Sequence, residues 1–353
     1  QKAAKAFREN LDKGDRIGLV GRNGAGKTTL SRVLAGESAP AGGGIKTTGT
    51  VGYLPQDPRT ADPDQLARSR VLSARGLDAV SLRMAKAAEA LAMPGINAEE
   101  FDKSGERYNR ALDEFESLGG YTAESEAATI AASIGLDERI LSQTLGTLSG
   151  GQRRRVELTR ILFSDADVLL LDEPTNHLDA DSIRWLRKYL AAYEGGFIVI
   201  SHDTQLLEDT VNKVWHLDAN RQEIDLYSMG WNKYLLARET DEKRRKRERR
   251  NAESQADTLR KQAEKMRAKA TKAKAAQSMF KRADRILADT ATELKRDNVA
   301  KLRFPTPKPC GRVPLMAENL SRSYGSLEVF TDVDLAIDRG SKVVILGLNG
   351  AGK

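Results

Sequence analysis

Thiols, aromatic rings and long apolar runs are scarce in this chain. Cys310 is the only cysteine among 353 residues, and Phe, Trp and Tyr together make up 5%. A lone thiol excludes the clustered thiolates of zinc and iron–sulfur modules and is typical of a reducing compartment. No stretch approaches the roughly 20 apolar residues of a membrane span, and no signal-peptide pattern is seen. These absences predict a reduced, soluble, cytoplasmic protein without a fused transporter domain.

Glycine and proline are missing from one long, basic segment. Between Trp231 and Phe304 neither residue occurs, and Ala, Lys, Arg, Glu and Gln dominate. The part from Arg238 to Arg303 holds 22 Lys and Arg against 11 Asp and Glu, whereas the rest of the chain holds 35 against 39. This composition predicts two antiparallel helices of about 50 Å each, with a charge that suits phosphate backbones. The apolar residues expected to join the pair are Leu259, Met266, Phe280, Ile286 and Leu287.

A glycine-rich loop follows the first predicted strand. Gly21 to Thr28 read GRNGAGKT, after the apolar run Ile17 to Val20 and before a helical stretch, Thr28 to Leu34. In such a P-loop, backbone N–H groups surround phosphate oxygens, the lysine binds the β- and γ-phosphates, and the hydroxyl binds Mg²⁺. The candidate nucleotide-binding residues are Gly21, Asn23, Gly24, Ala25, Gly26, Lys27, Thr28 and Thr29.

Two carboxylates end a second apolar strand. The segment Val168 to Asp179 reads VLLLDEPTNHLD, so its strand ends in Asp172 and Glu173. The carboxyl ends of parallel strands are where α/β sheets bind ligands. Asp172 can hold Mg²⁺ through water, while Glu173 can polarise the attacking water as a general base. Together with the P-loop, this pair predicts an ATPase.

Three weaker motifs accompany these two. The stretch LSGGQRRR, Leu148 to Arg155, places a serine and two glycines at a helix start, which alone indicates only an N-cap. Gln56 follows the run VGYL, and His202 follows the strand Phe197 to Ile200. Alone, a turn glutamine and a strand-end histidine are more often structural.

In this order and spacing, the five motifs resemble those of ATP-binding cassette proteins. The stretch DEPTNHLD, with Asn176, His177 and Asp179, resembles the ABC-F family in particular. The resemblance implies an α/β P-loop cassette with a helical subdomain that hydrolyses ATP with Mg²⁺. Gln56 would sense Mg²⁺ and the attacking water, and His202 would contact the γ-phosphate. The residues implied to contact the nucleotide of an opposing cassette are Ser149, Gly150, Gly151, Gln152 and Asp179.

An internal repeat predicts a second cassette. Asp12 to Lys27 aligns with Asp338 to Lys353 at an offset of 326 residues. Because the second copy stops at its P-loop lysine, we expect a fragment of a tandem protein that binds ATP at Lys27 but hydrolyses it poorly alone. Tyr324 resembles the aromatic that stacks on adenine, and its counterpart in the first copy would precede residue 1. The matching residues of the second P-loop are Gly347, Asn349, Gly350, Gly352 and Lys353.

Three parts follow from the repeat and the composition. Residues 1–237 would form the first cassette, with a helical subdomain at 57–147, residues 238–304 a basic helical linker, and residues 305–353 the start of the second cassette. The subdomain is long enough for an extra helical arm of the kind some ABC-F members have, although an ordinary elongated subdomain fits equally. In ABC-F proteins the linker contacts tRNA and ribosomal RNA, which implies the ribosome as a partner, with Lys269 to Arg282 near the hairpin tip.

Two other functions share these features. The ATPase subunit of a membrane transporter, for example in drug export, would carry the same motifs and a separate transmembrane partner. A binding module would use the linker without useful catalysis. The motifs leave open whether the protein acts in translation generally or protects ribosomes from antibiotics, and the family resemblance alone favours ATP over GTP.

Overall fold

A single mixed sheet organises residues 10–227. The computed structural model describes residues 10–56, 62–94, 97–219, 221, 223–267, 273–289, 310–325 and 327–345. Its strands in this region are β1 (Arg16–Gly21), β2 (Val51–Leu54), β3 (Val168–Asp172), β4 (Gly196–Ile200), β5 (Lys213–Asp218) and β6 (Glu223–Tyr227). They are ordered β2-β3-β4-β1-β5-β6, and all pairs are parallel except β5 with β6.

The register aligns the carboxyl ends of the central strands. Asp172 at the end of β3 pairs with Ile200 at the end of β4, and Leu171 pairs with Leu54 at the end of β2. Every residue of β4 is buried, as expected for a parallel strand covered on both faces. The segments that follow β2, β3 and β4 therefore leave the sheet at one edge, where the candidate catalytic residues occur.

Helices cover both faces of the sheet and continue beyond it. They are α1 (Lys27–Leu34), α2 (Ala67–Leu72), α3 (Leu77–Leu91), α4 (Ala98–Ser117), α5 (Gly120–Ser133), α6 (Glu138–Leu141), α7 (Gly150–Phe163), α8 (Ala180–Ala192), α9 (Thr204–Thr210), α10 (Trp231–Arg267) and α11 (Ala273–Asp289). Leu170 packs on the same side as Leu30 of α1, whereas Leu169 and Leu171 face the cluster that contains α7, α8 and α9. This arrangement confirms the predicted α/β P-loop class.

Helices α2 to α6 form the predicted helical subdomain. Gly119, at φ +66°, separates α4 from α5. Helices α3 and α4 pack together, and an ion pair of 2.9 Å joins Arg83 to Glu114. Arg70 of α2 forms a 2.6 Å ion pair with Glu157, whose side chain is 6% exposed. The subdomain is therefore attached to α7, the helix that begins at the LSGGQ motif.

The basic segment forms a helical pair whose contact surface is made of alanine. Helix α10 has 37 residues, about 55 Å at 1.5 Å per residue, and it packs against α11. The predicted residues Leu259, Met266, Phe280, Ile286 and Leu287 are half-buried. Where the two helices meet, the buried positions among the described residues are Ala252, Ala256, Ala263, Ala276 and Ala283. Small side chains let two backbones approach closely, so the larger apolar groups flank the seam instead of filling it.

The second copy of the repeat begins with a hairpin of two antiparallel strands, β7 (Leu315–Tyr324) and β8 (Leu327–Ile337). Tyr324 ends β7, and its side chain lies outside the described part of the structure. Five other predicted residues also lie outside it, namely Gly347, Asn349, Gly350, Gly352 and Lys353. The expected nucleotide-binding roles in the second copy therefore stay predictions.

The long helix is anchored to the sheet at its first turns. Tyr234 of α10 is 1% exposed, and its hydroxyl lies 3.0 Å from Nδ1 of His216 on β5. Arg238 donates to the same hydroxyl at 3.2 Å, and Arg245 reaches Asp225 of β6. The helix begins at Trp231, seven residues before the expected start of the linker at 238, because its first turns complete the core of the sheet.

This anchor predicts a loss of stability in acid. Burial lowers the pKa of His216 to about 4, and the nearby Arg238 adds to that effect. The imidazole is neutral in the folded chain and titrates near 6.5 when unfolded, so its contribution is complete above pH 6.5 and is lost as the pH falls toward 4. We expect His216→Asn to lower the pH dependence of the unfolding free energy over this range by roughly 3 kcal/mol. Urea unfolding at several pH values measures it, and an unchanged slope would contradict the assignment.

Candidate nucleotide site

The P-loop begins at Gly21, a position with no room for a side chain. A Cβ atom at Gly21 would lie 2.5 Å from the carbonyl oxygen of Leu217 on the neighbouring strand. Gly24 and Gly26 have φ angles of +77° and +102°, in the left-handed region that side chains disfavour. These positions curl the chain between β1 and α1, and the loop exposes Asn23 and Gly24.

Unpaired backbone donors face the loop at the start of α1. The first four N–H groups of a helix have no partner within it, and the cap residue Gly26 has no side chain that could accept from them. Lys27 lies in the first turn, where its Nζ donates to the carbonyl oxygens of Gly21 (2.8 Å) and Arg22 (3.1 Å). Ala25 and Thr28 are half-buried beside it, whereas Thr29 is exposed. The arrangement suits an anion at the helix N-terminus.

The two predicted carboxylates lie at the carboxyl end of β3. Asp172 is 2% exposed and Glu173 is 8% exposed. Oε1 of Glu173 lies 3.3 Å from Nε2 of His202, whose backbone N–H donates to Oε2 at 3.4 Å. The structure thus brings Glu173 and His202 together through the neighbouring strands β3 and β4.

Electrostatics join these groups to the P-loop. Burial raises the pKa of Glu173, and the negative charge of Asp172 raises it further. The positive charges of His202 and Lys27 act in the opposite direction. Burial lowers the pKa of Lys27, against the charges of Glu173 and Asp172. A carboxylate of raised pKa is a stronger proton acceptor, which suits a general base. The P-loop lysine and both carboxylates therefore act on one another in a single site.

The donor set fits a divalent cation. Within the described residues, the buried Oδ2 atom of Asp172 has no hydrogen-bond partner. Thr28 presents its hydroxyl from the first turn of α1, and Gln56 is exposed just after β2, which pairs with β3. Hard oxygen ligands of this kind suit Mg²⁺, which usually keeps several waters and takes further oxygens from phosphates. The described residues contain no group of three His, Cys, Asp or Glu that could hold a metal without such help.

The LSGGQ motif caps helix α7. Ser149 accepts from the N–H of Gln152 at 3.2 Å, while Oε1 of Gln152 accepts from the N–H of Ser149 at 2.8 Å. This capping box rigidifies the helix start, and a hydroxyl that accepts one bond can still donate its proton. Gly150 is open, since a Cβ atom there would meet nothing within 4 Å. The exposed start of α7 is thus free of steric obstruction.

The loop after β3 lies against this helix start. A Cβ atom at Gly151 would lie 3.5 Å from Cβ of His177, which has a φ of +67°. Asp179 caps α8 by accepting from the N–H of Ser182 at 2.9 Å. Its charge also favours the protonated form of Arg155, whose pKa burial lowers. The structure therefore places Asp179 in a cap, and its predicted contact with nucleotide stays a prediction.

One charged residue beside the site was missed by the sequence reasoning. Arg154 of α7 is 4% exposed and donates to the carbonyl oxygens of Asp172 and Glu173. Its position four residues before Leu158 and seven before Ile161 places it on the buried stripe of α7. That spacing is a signal of burial, although a charged residue is ordinarily expected on the solvent side.

Comparison with known proteins identifies the family. A family model described as ABC transporter matches residues 5–176, and a related extension model with the same description matches 217–304. Together the two models cover most of the chain, which carries an ATP-binding cassette domain. Among solved structures, the cassette chain resembles an ATP-binding subunit of an ABC transporter, with a TM-score of 0.45 and 18% identity over 62% of this chain and 80% of that one. No helix among the described residues has the length and apolarity needed to span a membrane.

The curated relatives of this cassette chain confirm the ABC-F resemblance. It is 32% identical to the energy-dependent translational throttle protein EttA of Haemophilus influenzae, over 96% of this chain and 60% of that protein. It is 31% identical to the EttA of Escherichia coli K12 over the same shares, and 31% identical to the putative ATP-binding protein YdiF of Bacillus subtilis over 96% and 52%. The chain thus spans about half to three fifths of the length of these relatives.

Proposed function

We propose that this cassette chain is part of an ATPase that binds ribosomes through its basic linker. The observation that carries the catalytic half is the convergence of Lys27, Asp172 and Glu173 at one edge of the sheet, with His202 3.3 Å from Glu173. ATP would place its β- and γ-phosphates at Lys27 and the α1 N-terminus. Asp172, Thr28 and Gln56 would hold Mg²⁺, which neutralises developing negative charge on the phosphates.

Glu173 would then orient the attacking water and accept its proton. Its buried carboxylate has a raised pKa and remains next to the imidazole of His202, which would contact the γ-phosphate. The second cassette would supply the LSGGQ residues that complete this site. In return, Ser149, Gly150, Gly151 and Gln152 would contact the nucleotide held by the second cassette, which the capped and open start of α7 permits. Residues 1–237 and 305–353 would thus belong to two cassettes joined by the linker at 238–304.

The linker presents its charge outward. Because the alanine seam occupies the inner faces of α10 and α11, long cationic side chains project into solvent. The exposed cations include Lys246, Arg247, Arg250, Lys261, Lys265, Lys281, Arg282 and Arg285. Their spacing along a rigid rod suits contact with phosphates of ribosomal RNA and tRNA, with strong salt dependence and little sequence preference. Of the tip predicted at Lys269 to Arg282, residues 269–272 lie outside the described residues.

The nucleotide site and the linker share one strand. Leu217 of β5 lies against Gly21 of the P-loop, and the adjacent His216 bonds to Tyr234 of α10. A change in the P-loop that accompanies nucleotide binding can therefore reach the root of the linker through two neighbouring residues. The names of the EttA relatives describe an energy-dependent effect on translation, which agrees with such a connection. Translational control and protection of ribosomes from antibiotics would both act through this binding.

Co-sedimentation with 70S ribosomes tests the proposal. The two-cassette protein would carry Glu173→Gln and the matching change in its second cassette, so that bound ATP persists. We expect ATP-dependent pelleting that weakens with salt. Replacing Lys246, Arg247, Arg250 and Lys261 by glutamine keeps the helix but should reduce the slope of log affinity against log salt by roughly three.

A matched control removes four exposed cations from the cassette instead, at Lys13, Arg139, Arg184 and Lys188. It changes the net charge equally and should leave the slope near that of the parent. Equal effects of the two sets would show that net charge, and not the linker, drives the association. Failure to pellet at low salt would reject the ribosome as partner and favour the transporter alternative, in which a transmembrane protein co-purifies.

A further inference from the structure

Arg154 is a buried cation directly behind the turn that carries Asp172 and Glu173. It is 4% exposed on α7, and its guanidinium donates to the backbone carbonyl of Asp172 and, at 3.4 Å, to that of Glu173. Burial of a charge is unfavourable unless hydrogen bonds compensate it. A core position of this kind would ordinarily hold an apolar side chain, so its charge demands an explanation.

The turn that Arg154 holds has an uncommon backbone conformation. Glu173 has a φ of +51°, which a residue with a Cβ atom adopts only when its surroundings impose it. Its N–H donates to the carbonyl of Ile200 at 2.8 Å on one side, and its carbonyl accepts from Arg154 on the other. Both peptide groups that flank the Glu173 Cα atom are thereby fixed.

We propose that Arg154 is a positioning residue for ATP hydrolysis, which holds the Asp172–Glu173 turn so that both carboxylates point into the nucleotide site. Both bonds come from Nη2, whose two N–H groups are held in the plane of the guanidinium, so this one nitrogen can bind two successive carbonyls. Because these two bonds end on backbone carbonyls, they do not use the carboxylate oxygens that would face Mg²⁺ and water.

Helix α7 makes this support rigid. Arg154 lies in the second turn of α7, directly after the first turn that the capping box of Ser149 and Gln152 holds. A movement of the LSGGQ end of α7 would therefore shift Arg154 and, through its hydrogen bonds, the carbonyls of Asp172 and Glu173. Arg154 thus connects two sites. One is the LSGGQ motif, which would contact the nucleotide of the opposing cassette, and the other is the pair Asp172 and Glu173 of this cassette.

The test compares steady-state ATP hydrolysis and ATP affinity in the two-cassette protein. Arg154→Met keeps the bulk but removes every donor, and Arg154→Lys keeps the charge and a single donor group. We expect Arg154→Met to lower kcat on the order of 100-fold, as a misplacement of catalytic groups by about 1 Å does. KM and the affinity for a fluorescent ATP analogue should stay within about threefold, because Lys27 is held by the carbonyls of Gly21 and Arg22 in its own loop. Arg154→Lys should recover about tenfold in kcat.

Arg70→Met is the matched structural control. It removes a half-buried guanidinium that also supports α7, through Glu157, but at a distance from the carboxylates. It should lower the melting temperature and leave kcat within about twofold. The proposal is overturned if Arg154→Met retains full kcat, if kcat and ATP affinity fall together, or if Arg70→Met reproduces the loss of kcat. Should Arg154→Met fail to fold, full kcat in Arg154→Lys is the contradicting result.

The inference rests on ATP hydrolysis by the protein, and turnover of the unsubstituted protein in the same assay tests that premise separately. Absent turnover there would count against the proposed function. Normal turnover with an unaffected Arg154→Met variant would count against the positioning role alone.

Discussion

Glu173→Gln is expected to lower ATP turnover by about 10²- to 10⁴-fold, the range typical for loss of a general base. The amide is nearly isosteric with the carboxylate but cannot accept a proton from water. Glu173 is 8% exposed and its pKa is raised by burial, so few other groups could replace it. Because Lys27 and the α1 N-terminus are untouched, ATP binding should persist, and the protein should accumulate with ATP in place.

The measurement is phosphate release by the two-cassette protein together with the nucleotide retained after rapid desalting. Glu194→Gln provides the control, since its side chain is 88% exposed and lies at the opposite end of β4. A passive binding module would show no change in either quantity on Glu173→Gln. Retained turnover in that variant would remove Glu173 from the role of base and, with it, the catalytic half of the proposed function.

Local sequence patterns predicted the local backbone around the candidate nucleotide site. The glycine spacing between Gly21 and Gly26 requires a tight loop, and the apolar runs before Gly21 and Asp172 require buried parallel strands. Those requirements are met within a few residues of each motif. Because parallel strands end at the same edge of a sheet, the approach of Glu173 and His202 also followed from the two strands that precede them.

Other features depend on contacts that no local pattern specifies. Arg154 bonds to backbone carbonyls 18 and 19 residues away. Every residue has a backbone carbonyl, so no side-chain pattern marks these partners. His216 and Tyr234 meet because α10 crosses β5, which fixes the start of the helix at Trp231. In the helical pair, large apolar residues were expected at the seam. The two backbones pack closely instead, and the buried residues between them are alanines. Tertiary packing therefore set the details that composition had left open.

Lys27→Ala is expected to weaken ATP binding by roughly 100-fold, the effect of removing one member of a close, partly desolvated charge pair. The ammonium of Lys27 lies within the loop, where it also donates to the carbonyls of Gly21 and Arg22. Its loss removes the charge for the β- and γ-phosphates and loosens the loop that presents the N–H groups of α1. The defect should thus appear in affinity, unlike that of Glu173→Gln.

Thermal unfolding with increasing ATP and Mg²⁺ measures this difference on the 353-residue chain itself. Ligand that binds only the folded state stabilises it by RT ln(1 + [L]/Kd), so a 100-fold weaker site loses up to about 2.7 kcal/mol of that stabilisation. Lys13→Ala, at a side chain that is 75% exposed, should retain the full shift. If Lys27→Ala retained it as well, the triphosphate would have to bind elsewhere than at the P-loop, and the convergence of Lys27 with the two carboxylates would need a structural explanation.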